Sequence, residues 1–543
     1  MSMLSKGSLL TAVFDRNEFV NIDVNYYIQT NGPINIEMSE QNINFDSQFL
    51  HCVDPLSLTI STHEFGSQFQ ELAVYIDRED TVLTPSSQIQ ISDSKFENTD
   101  SDYEMLRFEN IQESDHILLD TNQFMRGFIT IYYGEADIIA HNPYSFNVTN
   151  SNFSDFQTNS IFEISDVANE SIVSMYFENN IFRNNIGSFS LIDIDLFADE
   201  NKIRFDDNLF VDNDVNNVIT TDETNLYIQS SQFITNTVSK SVIFSHNGYL
   251  GISGTRFHEN EFDSHLIHLA NNNVMVSSAS NFTSNNGSNS TIFAINGNEI
   301  TISNNRFIEN APIECLNGGK LVVENSEFEN NNVLSSELCG AILVRNGIDL
   351  LIENVEFTNY PNSFLCLYDS HNINISDSKF VDSNANDAGI YISNSSVQIS
   401  TSLLREFESG GIYAIGKQSN LNILHSKMNL ISDKAVFLDK CNEIVITNTT
   451  FDECSSTTDG GSIHALDTLS VDIDTSEFLN GMAVNNGGSV YFKETTLNVN
   501  DSTFENCTAN HDGGCVFMDE NSQMRLTNIE FENGKADNDG GCL

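Results

Sequence analysis

The sequence predicts an all-β chain wound as one long parallel β-helix, and three observations predict it. A fixed coil motif recurs, the motif has an internal period of two, and the repeat is one short coil long. The motif is h-x-h-x-x-x-x-F, with h apolar, and its clearest copies are LNVNDSTF (497–504), VDIDTSEF (471–478), INISDSKF (373–380) and ITISNNRF (300–307). Alternation of apolar and polar residues marks a strand, because successive side chains point to opposite faces.

The anchor of the motif falls at Phe65, Phe96, Phe124, Phe153, Phe182, Phe210, Phe233, Phe257, Phe282, Phe307, Phe328, Phe357, Phe380, Leu404, Met428, Phe451, Phe478, Phe504 and Phe531, which gives nineteen coils. Both upstream positions are apolar in eighteen of them, the exception being the coil of Phe282, where Met275 is followed by Ser277. With apolar residues at 39% of the chain, chance would supply about three. Leu404 is preferred to Phe407 as an anchor because Val397 and Ile399 stand at the required distance from it.

Anchor spacings run from 21 to 31 residues and average about 26. That length accommodates three short strands per coil, for example Val490-Tyr491-Phe492, then Leu497-Asn498-Val499, then the strand of Phe504. Coils stacked about 4.8 Å apart predict a rod on the order of 90 Å long, filled by a column of Phe rings. An elongated repeat also suits 543 residues, a length beyond that at which one compact core stops growing. Residues 1–55 do not fit the motif and are read as an N-terminal cap over the exposed strand edges, with 56–543 as the repeat domain. GGCL (540–543) stops where GGCVFM and GGSVYF continue, so the helix is expected to be cut within a coil.

Two short motifs follow the anchors. Seven consecutive coils read F-x-x-N, from Phe182/Asn185 through Phe210/Asn213, Phe233/Asn236, Phe257/Asn260, Phe282/Asn285 and Phe307/Asn310 to Phe328/Asn331. Asn at that point suits a turn, since it tolerates left-handed backbone and can hydrogen-bond its own copy in the next coil. Later coils add GGSI (460–463), GGSV (487–490), GGCV (513–516) and GGCL (540–543), where glycine permits a positive φ.

With F-x-x-N and GGx[I/V/L] in register, the chain from about 65 to 543 resembles the polymorphic outer-membrane protein (Pmp) family, whose passenger regions are built from these tetrapeptides. The resemblance implies a single-stranded right-handed parallel β-helix of the pectin-lyase-like fold, displayed at a cell surface or secreted, that acts in adhesion rather than catalysis. The sequence departs from the family in showing no signal peptide and no C-terminal membrane barrel, and F-x-x-N is lost in coils such as FVDS (380–383).

Composition narrows the function further. With 77 acidic and 23 basic residues, the chain carries a formal charge of -54, which opposes nucleic acid and anionic membrane as partners. No segment approaches the roughly 20 apolar residues of a membrane span. Nine scattered cysteines include no CxxC, so neither a disulfide framework nor a metal or cofactor site is expected. Cys515 and Cys542 share the GGC position one coil apart and are expected to stack near disulfide distance. The ladder Asp459, Asn486, Asp512 and Asp539, three carboxylates and one amide, precedes the Gly pairs and reads as turn chemistry, and His511 beside it as a surface turn residue. Glu324 and Glu353 are expected at matching outward positions of neighbouring coils, where screening by solvent is preferred to a shared cation as the way their repulsion is met. The sequons at Asn281, Asn374 and Asn506 would accept glycans only in a secreted protein.

No catalytic residue is therefore assigned. The favoured function is non-enzymatic binding to host proteins or glycans. A polysaccharide lyase or glycoside hydrolase on the same fold, and a passive structural stalk, are the alternatives.

Overall fold

The computed structural model describes residues 173–196, 202–271, 273–330, 339–384 and 388–543, together with shorter segments of the first 166 residues (2–4, 10–15, 18–20, 28–31, 34–39, 42–44, 50–53, 55, 57–61, 64–65, 74–77, 88–97, 104–111, 115–126, 128–133, 144–157 and 160–166). It divides into two units: residues 1–276 with 285–287, and residues 277–284 with 288–543.

Each unit is built from three parallel sheets, one for each strand of the coil. In the first unit the apolar pairs lie on Lys202–Asp206, Asn225–Gln229 and Tyr249–Ser253. The anchors lie on Ile181–Arg183, Leu209–Val211, Gln232–Ile234 and Arg256–His258. The third or return strands include Ser190–Asp195, Asp214–Asp222, Thr237–His246 and His265–Ala270. The second unit repeats the plan, with pairs on Ile348–Glu353, Ile373–Ser376 and Ser396–Ser400, and anchors on Glu356–Tyr360, Lys379–Ser383 and Leu403–Phe407. No helix occurs among the described residues, and so none is long and apolar enough to cross a membrane.

The chain is a parallel β-solenoid of about 16 turns, slightly fewer than the nineteen expected. The anchor ladder does run from Phe65 to Phe96 and Phe124.

The cap expected over 1–55 is corrected in the same region. Leu10–Asp15 pairs with Ile34–Ser39, which pairs with Ser57–Ser61, and Phe19 and Ile43 continue the anchor ladder above Phe65. The motif spacing is present in Ala12-x-Phe14 with Phe19 and in Ile36-x-Met38 with Ile43. The first pair contains a small residue, Ala12, and the second coil has a non-aromatic anchor, Ile43, which weakens the signal.

The anchors form buried columns. In the first unit, rings from Phe96 through Phe124, Phe153, Phe182, Phe210 and Phe233 to Phe257 stack face to face with centroids 4.7–5.0 Å apart. In the second, Phe282, Phe307, Phe328, Phe357 and Phe380 stack at 4.6–5.0 Å, and Phe451, Phe478, Phe504 and Phe531 at 4.5–5.2 Å. Leu404 and Met428 fill the same column by register, while Phe407 pairs with Ser383 and Ile431 three positions on. Gly389 makes room for Phe407, since a Cβ there would stand 2.2 Å from its ring. Ser277, the polar exception in the apolar pair, is buried and accepts hydrogen bonds from Asn305 Nδ2 at 3.0 Å through both its hydroxyl and its carbonyl.

The corners show where the left-handed residues sit. In the coil of Phe210 they are Asp207 (φ 55°) and Asp212 (φ 55°), and in that of Phe233 they are Ser230 (φ 50°) and Thr235 (φ 52°), three before and two after the anchor. A non-glycine residue there costs about 1–2 kcal/mol. The Asn of F-x-x-N follows the left-handed residue rather than being it. Its side chain turns inward, fully buried, and bonds its own copy: Asn185, Asn213, Asn236, Asn260 and Asn285 form a continuous amide ladder. Asn331 lies outside the described residues. At the other corner, Asn122, Ser151, Asn180, Asn208 and Ser231 form a second buried polar ladder two residues before the anchor, receiving the N–H of the coil above.

Candidate functional site

The residues that looked chemical in the sequence are occupied by the repeat. Asp459 Oδ1 accepts from Asn486 N at 2.9 Å and Nδ2 at 3.0 Å, Asn486 Oδ1 from Asp512 N at 3.2 Å, and Asp512 Oδ1 from Asp539 N at 3.0 Å. Each side chain thus satisfies the amide of the next turn. The first Gly of each following pair has a φ of 60–66°. The second does not need positive φ; it admits close backbone, as at Gly488, where a Cβ would stand 2.3 Å from Gly514 O.

His511 is exposed, and its amide donates to Asn485 O. Glu324 and Glu353 do sit in register on adjacent strands. Among the described residues no group of three or more His, Cys, Asp or Glu side chains converges as a metal site. Cys515 N donates to Cys542 O at 3.1 Å, and both residues are free thiols beside Gly534, where a Cβ would meet the two sulfurs at 2.7 and 2.8 Å. Asn281, Asn374 and Asn506 are all exposed.

The feature that sequence reasoning missed lies on the outer face of the return sheet of the second unit. There Tyr391, Tyr413, Phe437, His464, Tyr491 and Phe517 stand in register on successive coils. Their centroids are 4.7–5.9 Å apart from Tyr413 to Phe517, and three of those four ring pairs are tilted by about 50°. Inward residues on either side, such as Ile390, Ile392, Ile412 and Ala414, belong to the core. His464 and Tyr491 are recessed, whereas Tyr391, Tyr413, Phe437 and Phe517 are half-buried. Tyr391 also packs on the buried Cys339, Leu343 and Cys366 and lies 5.5 Å from Tyr368, over whose ring Arg345 sits at 5.0 Å.

The rim of this stripe is polar. Tyr413 OH donates to Asp433 Oδ2 at 3.4 Å, and Tyr491 OH to Asp519 Oδ2 at 2.6 Å. That bond holds the Asp519 carboxyl below the usual range, while burial and the same bond push the Tyr491 phenol up. Lys434 pairs with Asp433 at 2.8 Å, Lys440 with Asp439 at 3.1 Å, and Lys493 with Asp519 at 3.6 Å. Burial lowers the His464 pKa, and its Nδ1 lies 2.9 Å from Asp459 O. The sequence signal was an aromatic residue 13 to 15 positions before each of six successive anchors. It reads as core, because its neighbours are apolar too.

The first unit carries a second cluster. Glu163 and Asp193 are neighbours in register on the outer return face, as are Asp195 and Asp222. Burial, then Glu163 and Asp195, raise the Asp193 carboxyl above its ordinary range; burial and Asp222 raise Asp195. Asp222 in turn lies 2.6 Å from His246 Nδ1.

Acid stability of this unit follows from opposed groups. Burial, with His268 beside it, holds His265 down at about 3 against an ordinary 6.5. Above 6.5 the ring is neutral whether folded or not, so the shift contributes nothing there. Below it the unfolded chain takes the proton first, and stability falls by roughly 1.4 kcal/mol per pH unit down to about 3. Asp193 acts the other way, because its raised folded pKa makes the folded state bind the proton first on acidification. His265→Gln is expected to flatten the decline in urea midpoint between pH 6.5 and 4, and Asp193→Asn to leave a steeper one than the wild type.

Residues 340–497 match a family model described as a right handed beta helix region. That segment spans Gly340 to Leu497 and carries five rings of the stripe, Tyr391 to Tyr491. No curated protein matches the chain. Among solved structures, a PL6 family alginate lyase, AlyGC, aligns over 96% of this chain and 97% of that one at 10% identity and a TM-score of 0.21.

Proposed function

We propose that this chain is a non-enzymatic binding protein, displayed at a cell surface or secreted like the Pmp passengers its repeats resemble, and that the aromatic stripe of the second unit is its contact surface. The observation that carries the reading is the register of six rings on successive coils, three of whose rim carboxylates are paired with lysines. The inward residues complete the core, and four of the six outward rings, Tyr391, Tyr413, Phe437 and Phe517, stay half-buried, which leaves apolar surface suited to a partner.

The test is binding of the purified chain to arrays of host extracellular proteins and glycans, wild type against a Tyr413→Ser/Phe437→Ser double variant. The wild type is expected to bind and the variant to lose about tenfold or more in affinity with an unchanged thermal midpoint. Equal binding by both proteins would remove the stripe from the function.

One observation favours an enzyme instead. Glu163 and Asp193 stand in register on neighbouring strands, and burial, with Glu163 and Asp195 nearby, raises the Asp193 carboxyl as a general acid requires. That reading requires release of new sugar ends from a polysaccharide, abolished by Asp193→Asn.

A further inference from the structure

We infer that the stripe is a track for a neutral, extended glycan laid along the stacking direction of the coils, with one sugar ring against each aromatic rung. The inference rests on the binding function proposed above and names the ligand class.

Three observations select it. The first is geometry: consecutive rungs are about 4.8 Å apart, comparable to the length of one sugar residue in an extended chain, and the track is one side chain wide. A standard protein interface needs about 800 Å² from each partner, which a single file of four half-buried and two buried rings does not supply. A linear polymer needs only the file.

The second is local charge. The chain has 77 acidic and 23 basic residues, yet along the stripe Lys434, Lys440 and Lys493 each neutralise a carboxylate, Asp433, Asp439 and Asp519. A polyanion is repelled by the rest of the surface. A polycation finds stronger partners elsewhere, such as the stacked Glu324 and Glu353 or Glu163 and Asp193. Asp459 and Glu520 add negative charge near Tyr491, so the partly neutralised track disfavours a polyanion and attracts a polycation less than those stacked carboxylates do.

The third is hydrogen-bonding capacity. A paired carboxylate and ammonium present acceptors and donors side by side, which is what neighbouring sugar hydroxyls require. The rings supply the apolar floor for the sugar face. Tyr391, Tyr413 and Phe437, three half-buried rungs in succession, form the most open part of that floor.

Calorimetric titration of the full chain tests this with four probes: neutral cello- and laminari-hexaose, an anionic oligogalacturonate hexamer and a cationic chitosan hexamer. At least one neutral hexamer is expected to bind, with little dependence on salt and with about tenfold weaker binding of its trimer. Phe437→Ser should weaken it by about tenfold or more, while Phe437→Tyr, which keeps the ring, retains it. The serine variant must keep the wild-type thermal midpoint. Preference for either charged hexamer, or neutral binding that Phe437→Ser leaves unchanged, overturns the assignment. Loss of protein-array binding in the stripe variants together with no neutral glycan binding would overturn the glycan alone and leave the binding function standing. Array binding that ignores the stripe would overturn both.

Discussion

Phe233→Ala is expected to lower the unfolding free energy of the first unit by about 3–5 kcal/mol, read as a drop in urea midpoint. Phe233 is fully buried and stacked between Phe210 and Phe257 at 4.7 and 4.8 Å. Truncation leaves a ring-sized gap with a ring on each side. Those rings cannot slide into it, because the strands carrying them are fixed in register above and below. Phe233→Leu should cost far less, under about 1.5 kcal/mol. The molecule already shows why: Leu404 and Met428 occupy the equivalent column of the second unit with full burial. A Phe233→Leu loss as large as that of Phe233→Ala would mean that ring stacking itself, rather than volume, holds the column.

Asn213→Ala should destabilise the same unit by roughly 2–6 kcal/mol, from at least two stranded buried groups at about 1–3 kcal/mol each. Asn213 Oδ1 accepts from Asn185 Nδ2 at 2.8 Å and Asn185 N at 3.2 Å, while its own Nδ2 donates to Phe182 O at 3.0 Å and Asn236 Oδ1 at 2.8 Å. All of these groups are buried, and water cannot replace the lost partner cheaply. Asn213→Asp is the sharper probe. It keeps an acceptor for Asn185 but turns a second oxygen toward Phe182 O and Asn236 Oδ1, both acceptors. Its folded pKa must rise, so the variant should gain stability as pH falls through that pKa and be weakest above neutrality. A pH-independent defect would show that the ladder tolerates a charge, contrary to its burial.

Much of this architecture is legible in the residues. The spacing from apolar pair to Phe puts three inward side chains at fixed offsets, and a period of two leaves no other way to bury them. Leu404 could be chosen over Phe407 on spacing alone. The turn role of Asp459, Asn486, Asp512 and Asp539 also follows from position, since each precedes a glycine that takes positive φ. The first coils were harder, because Ala12 is small for the apolar pair before Phe19 and Ile43 stands where an aromatic anchor signals the coil.

What the sequence by itself determined is the coil: its anchors, its strand count and the Asn that bonds its own copy, all set by local alternation and repeat length. Only the tertiary structure decided which corner residue is left-handed, which polar side chains turn inward, and which rings turn outward. Ile412-Tyr413-Ala414 and Val490-Tyr491-Phe492 are apolar at every position, so composition cannot say which face meets solvent. That choice is made by the neighbouring coils, whose inward residues complete the core and leave Tyr413 and Tyr491 in register on the outer face, Tyr413 half-buried and Tyr491 recessed.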